Sequence, residues 1–219
     1  MKFYWLFRKD LQSELRTRYA INALGMFIVV TISVILFSIG QEKITQNLSG
    51  GLFWVVVFFS AMSGLSRAFV SEEERGTVLT LQLMSDPNTV LGGKLLFNIV
   101  LVFSMNIFIA LLYSALFDVF VIKNLPMFLL AFVLGNLGIG ISSTLIAAII
   151  AKANTKGTLY PVLSFPILLP LFLTLIEITK KAMEGVPFDE GFIEIATLVS
   201  YDVVMVAAGF MLFDLVWKE

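Results

Sequence analysis

The side chains able to do chemistry in this chain of 219 residues are few, and the two most versatile types are missing. It has no histidine, which removes the commonest metal and haem ligand and the usual general base. It has no cysteine, which removes thiol nucleophiles, disulfides, iron–sulfur sites and cysteine-ligated zinc. What remains is acidic. Asp202, with Tyr201 beside it, stands about ten residues into a long apolar stretch, where an acid costs roughly 2.5–3.5 kcal/mol on insertion scales and so faces a cavity or a partner. A functional polar site and a buried structural hydrogen bond both fit it. An aspartyl intramembrane protease would need a second acid at comparable depth, but Asp214 lies near the end of the same stretch. Serine and zinc variants of such a protease rely on the histidine and metal ligands that are lacking. Gly92, Gly93 and Lys94 are followed by Leu95 without the spaced first glycine of a phosphate loop, so the chain has no ATP site of that kind. An enzyme is therefore not expected, and no metal site either.

The elements that must hold these residues follow from composition. Hydrophobic residues make up 58% and charged residues 14%, against about 25% charged in ordinary soluble domains. Mean hydropathy is +0.94. Six apolar stretches are long enough to cross a bilayer, at about 20–39, 51–70, 95–117, 125–150, 159–178 and 192–216. The runs do not alternate as barrel strands would. The expectation is an all-α integral membrane protein, one transmembrane domain over residues 1–219. A net charge of −1 gives no reason to expect a nucleic-acid partner.

Positive charge divides unevenly between the two sides. Lys2, Arg8, Lys9, Arg16, Arg18, Arg67, Arg75, Lys94, Lys152, Lys156 and Lys218 share one face, against Lys43, Lys123, Lys180 and Lys181 on the other. By the positive-inside rule both termini are cytoplasmic. Phe3, Phe7, Leu11, Leu15 and Tyr19 recur every four residues, with the cations largely off that line. Residues 1–19 thus read as an amphipathic helix in the membrane interface, contacting lipid headgroups. Gly135, Gly138 and Gly140, with Ser142, Ser143 and Thr144, give the fourth span a small-residue face suited to close packing. Pro161, Pro166 and Pro170 are expected to kink or break the fifth.

The longest polar excursion on the basic side is 71–94. It opens on Glu72, Glu73, Glu74, Arg75, Gly76 and Thr77, continues through Leu79, Leu81 and Leu83, and closes at Ser85, Asp86 and Pro87. Charged flanks around about two turns of apolar-biased helix suit docking in a partner's groove, though a solvated loop whose leucines cap the bundle has the same composition. Arg67, Phe69, the acidic cluster, Gly76-Thr77, Leu79, Leu81, the Ser85–Pro87 pair and Lys94 resemble the signature between the second and third spans of ABC-2 type permeases. More narrowly, with the Leu65-x-Arg67-x-Phe69 lead-in and the short chain, they resemble the CcmB family, haem exporter protein B of cytochrome c maturation. Ser66 and Arg75 depart from that family's usual pattern.

The resemblance implies a six-span permease subunit in a bacterial cytoplasmic (inner) membrane, whose segment Gly76–Ser85 is a cytoplasmic coupling helix. Glu72, Glu73, Glu74 and Arg75 would pair with charges around a socket on a separate ATP-binding subunit, resembling CcmA, and Leu79, Leu81 and Leu83 would supply contact area. ATP would be bound by that subunit and no cofactor by this chain. Haem would be handled by a CcmC-like membrane subunit with a small CcmD-like one, and passed to a CcmE-like chaperone. A second permease copy is implied. The competing functions are an ABC-2 permease exporting a lipid, a drug or a glycan precursor and, from another class, the intramembrane protease.

Overall fold

The computed structural model describes residues 2–40, 42, 44–65, 76, 81, 83, 85–151 and 156–218; side chains at 2, 17, 19, 20, 156–158 and 214–218 are outside that description. The described helices are α1 (Lys2–Thr17), α2 (Tyr19–Ile39), α3 (Gln46–Leu65), α4 (Pro87–Leu116), α5 (Leu125–Ala151), α6 (Lys156–Glu184) and α7 (Phe192–Lys218). A 3-10 turn at Phe188–Gly191 precedes the last. Six of them, α2 to α7, are long and apolar enough to cross a membrane. Their alternation puts α1, the 65–87 connection, the 151–156 connection and the C-terminus at one end, here the basal end, and the connections at 39–46, 116–125 and 184–192 at the distal end.

Helix α5 is the axis of the bundle, packed on α4, α6 and α7 and far more enclosed than α2 or α7. Its glycines let neighbours approach the backbone. A Cβ on Gly135 would fall 2.7 Å from Leu175, one on Gly138 2.9 Å from Leu171, and one on Gly140 2.9 Å from the Ile99 side chain and 3.3 Å from its Cα. Buried amides tie α4 to α5. Asn98 Nδ2 donates to Thr144 Oγ1 at 2.8 Å, and Thr144 donates to the Gly140 carbonyl. One further layer up, Asn106 Nδ2 donates to Asn136 Oδ1 at 2.8 Å, and Asn136 donates to the Phe132 carbonyl. In a medium without water each of these groups needs such a partner, so the bonds select one rotation of α4 on α5.

The distal end is closed by aromatic packing and by side chains that satisfy loop carbonyls. Phe53, Tyr113, Phe117, Phe120 and Phe128 form one cluster, with Tyr113 stacked on Phe117 at 4.2 Å. Trp54 Nε1 donates to Thr179 Oγ1, and Tyr113 Oη donates to the Ser49 carbonyl. Gln46 Nε2 donates to the carbonyls of Val121 and Met183, tying the start of α3 to the loop after α4 and to the last turn of α6. These bonds explain why α3 starts at Gln46, five residues before the apolar run: polar residues that a hydropathy window rejects are paired here.

Two other expectations are revised. Helix α4 begins at Pro87, not near 95, so 87–94 belongs to a span and not to the polar excursion. Asp86 is extended and Pro87 takes the first helical turn, where its missing N–H is harmless; the dipeptide starts one helix instead of merely stopping another. The three prolines do not break α6, which is helical from Lys156 to Glu184. All three lie on its exposed side, and Tyr201 Oη and Thr174 Oγ1 donate to the carbonyls of Ile167 and Pro170 beside them.

The glycine contacts give a paired expectation. Gly140→Ala must displace the Ile99 backbone and should destabilise by about 1–3 kcal/mol. Gly25→Ala, with open space around it, should change stability by no more than about 1 kcal/mol. Unfolding of both variants in detergent micelles, titrated with a denaturing surfactant, checks the difference.

Candidate functional site at the basal end and within the bundle

The N-terminal helix does not simply lie in lipid. It docks on the start of α4, using Phe3, Leu6 and Asp10, which recur at helical spacing on one face. Gly92 and Gly93 make room: a Cβ on Gly92 would meet that of Phe3 at 3.8 Å, and one on Gly93 would sit 2.7 Å from that of Leu6. One residue on, Lys94 Nζ is 2.9 Å from Asp10 Oδ2, with side-chain exposures of only 5% and 10%. The expected stripe through Phe3, Phe7, Leu11 and Leu15 flanks this seam. Trp5 and Leu15 stay exposed, and Arg8 lies 5.9 Å over the Trp5 ring, which leaves an aromatic and cationic surface for headgroups.

Sequence reading places Lys94 among the basal cations and in the permease-like signature, and it passes over Asp10. The available signal was Asp10 itself, an acid set among Arg8, Lys9 and Arg16. Between α1 and α2 the chain turns at Arg18, which has φ 51°. That left-handed conformation is uncommon outside glycine, and the turn is supported by Glu14, whose carboxylate accepts from the Ile21 N–H at the head of α2.

Of the expected coupling residues, Glu72, Glu73, Glu74, Arg75, Thr77 and Leu79 lie outside the described residues. Gly76 has φ 67°, a turn that a residue with a side chain would strain. Leu81 and Leu83 are both helical but face oppositely, since two residues turn a helix by about 200°. Leu81 is 9% exposed and belongs to the core, whereas Leu83 is 87% exposed. Leu81 thus packs into the bundle and anchors the segment, and Leu83 presents its side chain outward. The Ser85 N–H closes the turn on the Leu81 carbonyl at 3.0 Å.

Asp202 lies where the sequence suggested, on the face of α7 that meets α5, and is 8% exposed. Neither carboxyl oxygen has a hydrogen-bond partner among the described residues. A Cβ added to Gly138 would fall 2.6 Å from Oδ1, so the carboxyl rests on the α5 backbone. The adjacent Tyr201 hydroxyl bridges three helices, 2.9 Å from Ser142 Oγ and donating to the Ile167 carbonyl at 3.0 Å. The structural hydrogen bond considered for Asp202 is thus made by its neighbour.

Breaking the basal pair on one side leaves a charge buried. Lys94→Met should destabilise by about 3–5 kcal/mol and speed amide exchange along α1, whereas Lys94→Met with Asp10→Leu should recover most of the loss. Thermal unfolding with hydrogen exchange of the three proteins checks this.

Comparison with known proteins bears on what this arrangement serves. A family model described as CcmB protein matches residues 1–212. Comparison with the curated proteins finds no match. The match spans α1, its seam with α4, all six apolar helices and Asp202. The chain belongs to the CcmB family, the haem-exporter permease component of the ABC transporter of cytochrome c maturation.

Proposed function

We propose that this permease is the moving, non-catalytic part of its transporter, driven from the basal end by a separate ATP-binding subunit. With the termini cytoplasmic, as the positive charges favour, that end faces the ATPase. The observation that carries the reading is the buried Asp10–Lys94 pair on Gly93, which makes α1 and the head of α4 one rigid unit directly after the coupling segment. A push on the segment through Leu83, with Leu81 as its anchor, is passed to α4 and, through Asn98 and Asn106, to α5. The distal end, held by aromatic packing and by Gln46, is the pivot.

The product of that movement is release of a haem-loaded chaperone, not ligation of iron. Without histidine or cysteine the chain offers iron only weak ligands such as methionine or tyrosine. Haem is then held by a CcmC-like partner, with a CcmD-like subunit beside it, and handed to a CcmE-like chaperone, while two permease copies serve two CcmA-like ATPase subunits.

Leu83→Arg should insert and fold normally yet lower co-purification of the ATPase at least several-fold. Leu81→Arg should instead reduce the folded yield of the permease itself, because it places a cation in the core. Affinity purification through a tag on the permease, with folded yield measured by size-exclusion chromatography, separates the two; undiminished ATPase recovery with Leu83→Arg would overturn the coupling role.

A further inference from the structure

We propose that Asp202 is a proton-binding site: it is a neutral carboxylic acid while α7 lies on α5, and it releases its proton when the two helices separate. The inference needs only the membrane-spanning bundle and is independent of how the ATPase couples.

The argument is one of missing partners. Asp202 is more than nine-tenths buried, and both of its oxygens lack a hydrogen-bond partner among the described residues. Charged groups on the elements packed around it lie elsewhere. Helix α5 has no charged or titratable residue from Leu125 to Ala151. Helix α6 meets the site with Leu171 and Ile167; its charges are Lys156 at the basal end and Glu177, Lys180, Lys181 and Glu184 toward the distal end, and its Tyr160 is nearer the basal end. Helix α4 carries Lys94 at its head and Tyr113 in the distal cluster. On α7 itself, Tyr201 is occupied by Ser142 and Ile167, Glu194 pairs with Lys181 at 2.8 Å, and Asp214 lies near the basal end. Asp189 and Glu190 belong to the distal 3-10 turn.

A carboxylate in such a place would keep its charge without a cation or a donor among the described residues, a costly state for a side chain in a bilayer core. Binding a proton removes the charge and leaves a small polar group, which the bare backbone at Gly138 accommodates. If α7 leaves α5, water reaches the carboxyl. The O–H bond breaks, the proton passes to water and its electron pair stays on the carboxylate. Closure requires the proton to return. The carboxyl therefore ties closure of this seam to proton uptake, and alkaline conditions favour the separated state.

Infrared spectroscopy of the full chain in lipid nanodiscs, carrying carbon-13 carboxyl aspartate, tests the resident state. The expected result at neutral pH is one isotope-shifted protonated-carboxyl band that Asp202→Asn abolishes. If all aspartate absorbs as carboxylate, including one that binds a metal cation, the proposal is overturned. Should Asp202→Asn fail to fold, Asp202→Glu decides instead, because its carboxyl carries no label and the isotope-shifted band is then lost.

The absence of native cysteine allows a clean second reading of the movement. Leu198→Cys, fully buried one turn from Asp202 on the same face, reports separation by its alkylation rate. That rate should rise with pH several-fold more in the Leu198→Cys chain than in the same chain carrying Asp202→Asn, a ratio in which thiol ionisation cancels. Equal pH profiles would overturn the coupling between proton release and separation.

Discussion

The ion pair between Asp10 and Lys94 is the constraint on which the basal architecture depends. Lys94 and Asp10 are both largely withdrawn from water, and Asp10 also has Lys9 Nζ at 3.4 Å, so sliding or rotating α1 on α4 would pull the close pair apart at a cost. Replacing both by apolar residues would be cheaper in free energy. What the pair provides is register: it sets Leu6 over Gly93 and Phe3 over Gly92, where any other alignment would drive a side chain into backbone. Arg18 and Glu14 then turn the chain into α2, so the basal unit comprises a docked helix, a fixed corner and the head of a span.

The same rule, that polar groups removed from water must be paired, sorts the interior. Asn98, Asn106, Asn136 and Thr144 meet it with donors that bond across α4 and α5 or back to the helix, while the amide oxygens of Asn98 and Asn106 have no partner among the described residues. Tyr201 obeys it across three helices. These seams are therefore specific and stiff. The α5–α7 seam around Asp202 is different: Tyr201 fastens it to Ser142, but the carboxyl beside that bond has no hydrogen-bond partner among the described residues. Such a seam is held by one hydroxyl bond, by packing and by the protonation state of one carboxyl, so an external condition can loosen it.

The spans themselves were legible because a continuous apolar run of bilayer length has few other stable fates. Their ends were not. Gln46 and Ser49 extend α3 because Tyr113 and the carbonyls of Val121 and Met183 await them, and none of these partners is near in sequence. Asp86-Pro87 ends one element and starts the next, and the sequence alone shows only the ending. The period of four through Phe3, Phe7, Leu11 and Leu15 identified α1 as amphipathic, yet the face it docks on α4 includes Leu6 and Asp10, since a cation on a distant helix turns an acid into part of the covered side. Asp202 was legible as a misplaced acid. Its want of a partner was not, because that depends on which residues α5 and α6 turn toward it.

The distribution of these devices gives the bundle a direction. At the distal end, bonds from Gln46, Trp54 and Tyr113, the Lys181–Glu194 pair and stacked rings join neighbouring loops and helices within a short distance. At the basal end the equivalent fastening is concentrated in one helix laid on one span. A force applied there meets a short rigid assembly, and a span held at its far end rotates about that end more readily than it translates. Midway lies the α5–α7 seam, where Gly138 allows the backbone to meet a carboxyl directly and where a small rotation changes its exposure most. A basal handle, a distal pivot and a proton-sensitive seam between them let a chain with almost nothing outside the bilayer convert contact at one surface into rearrangement of its spans.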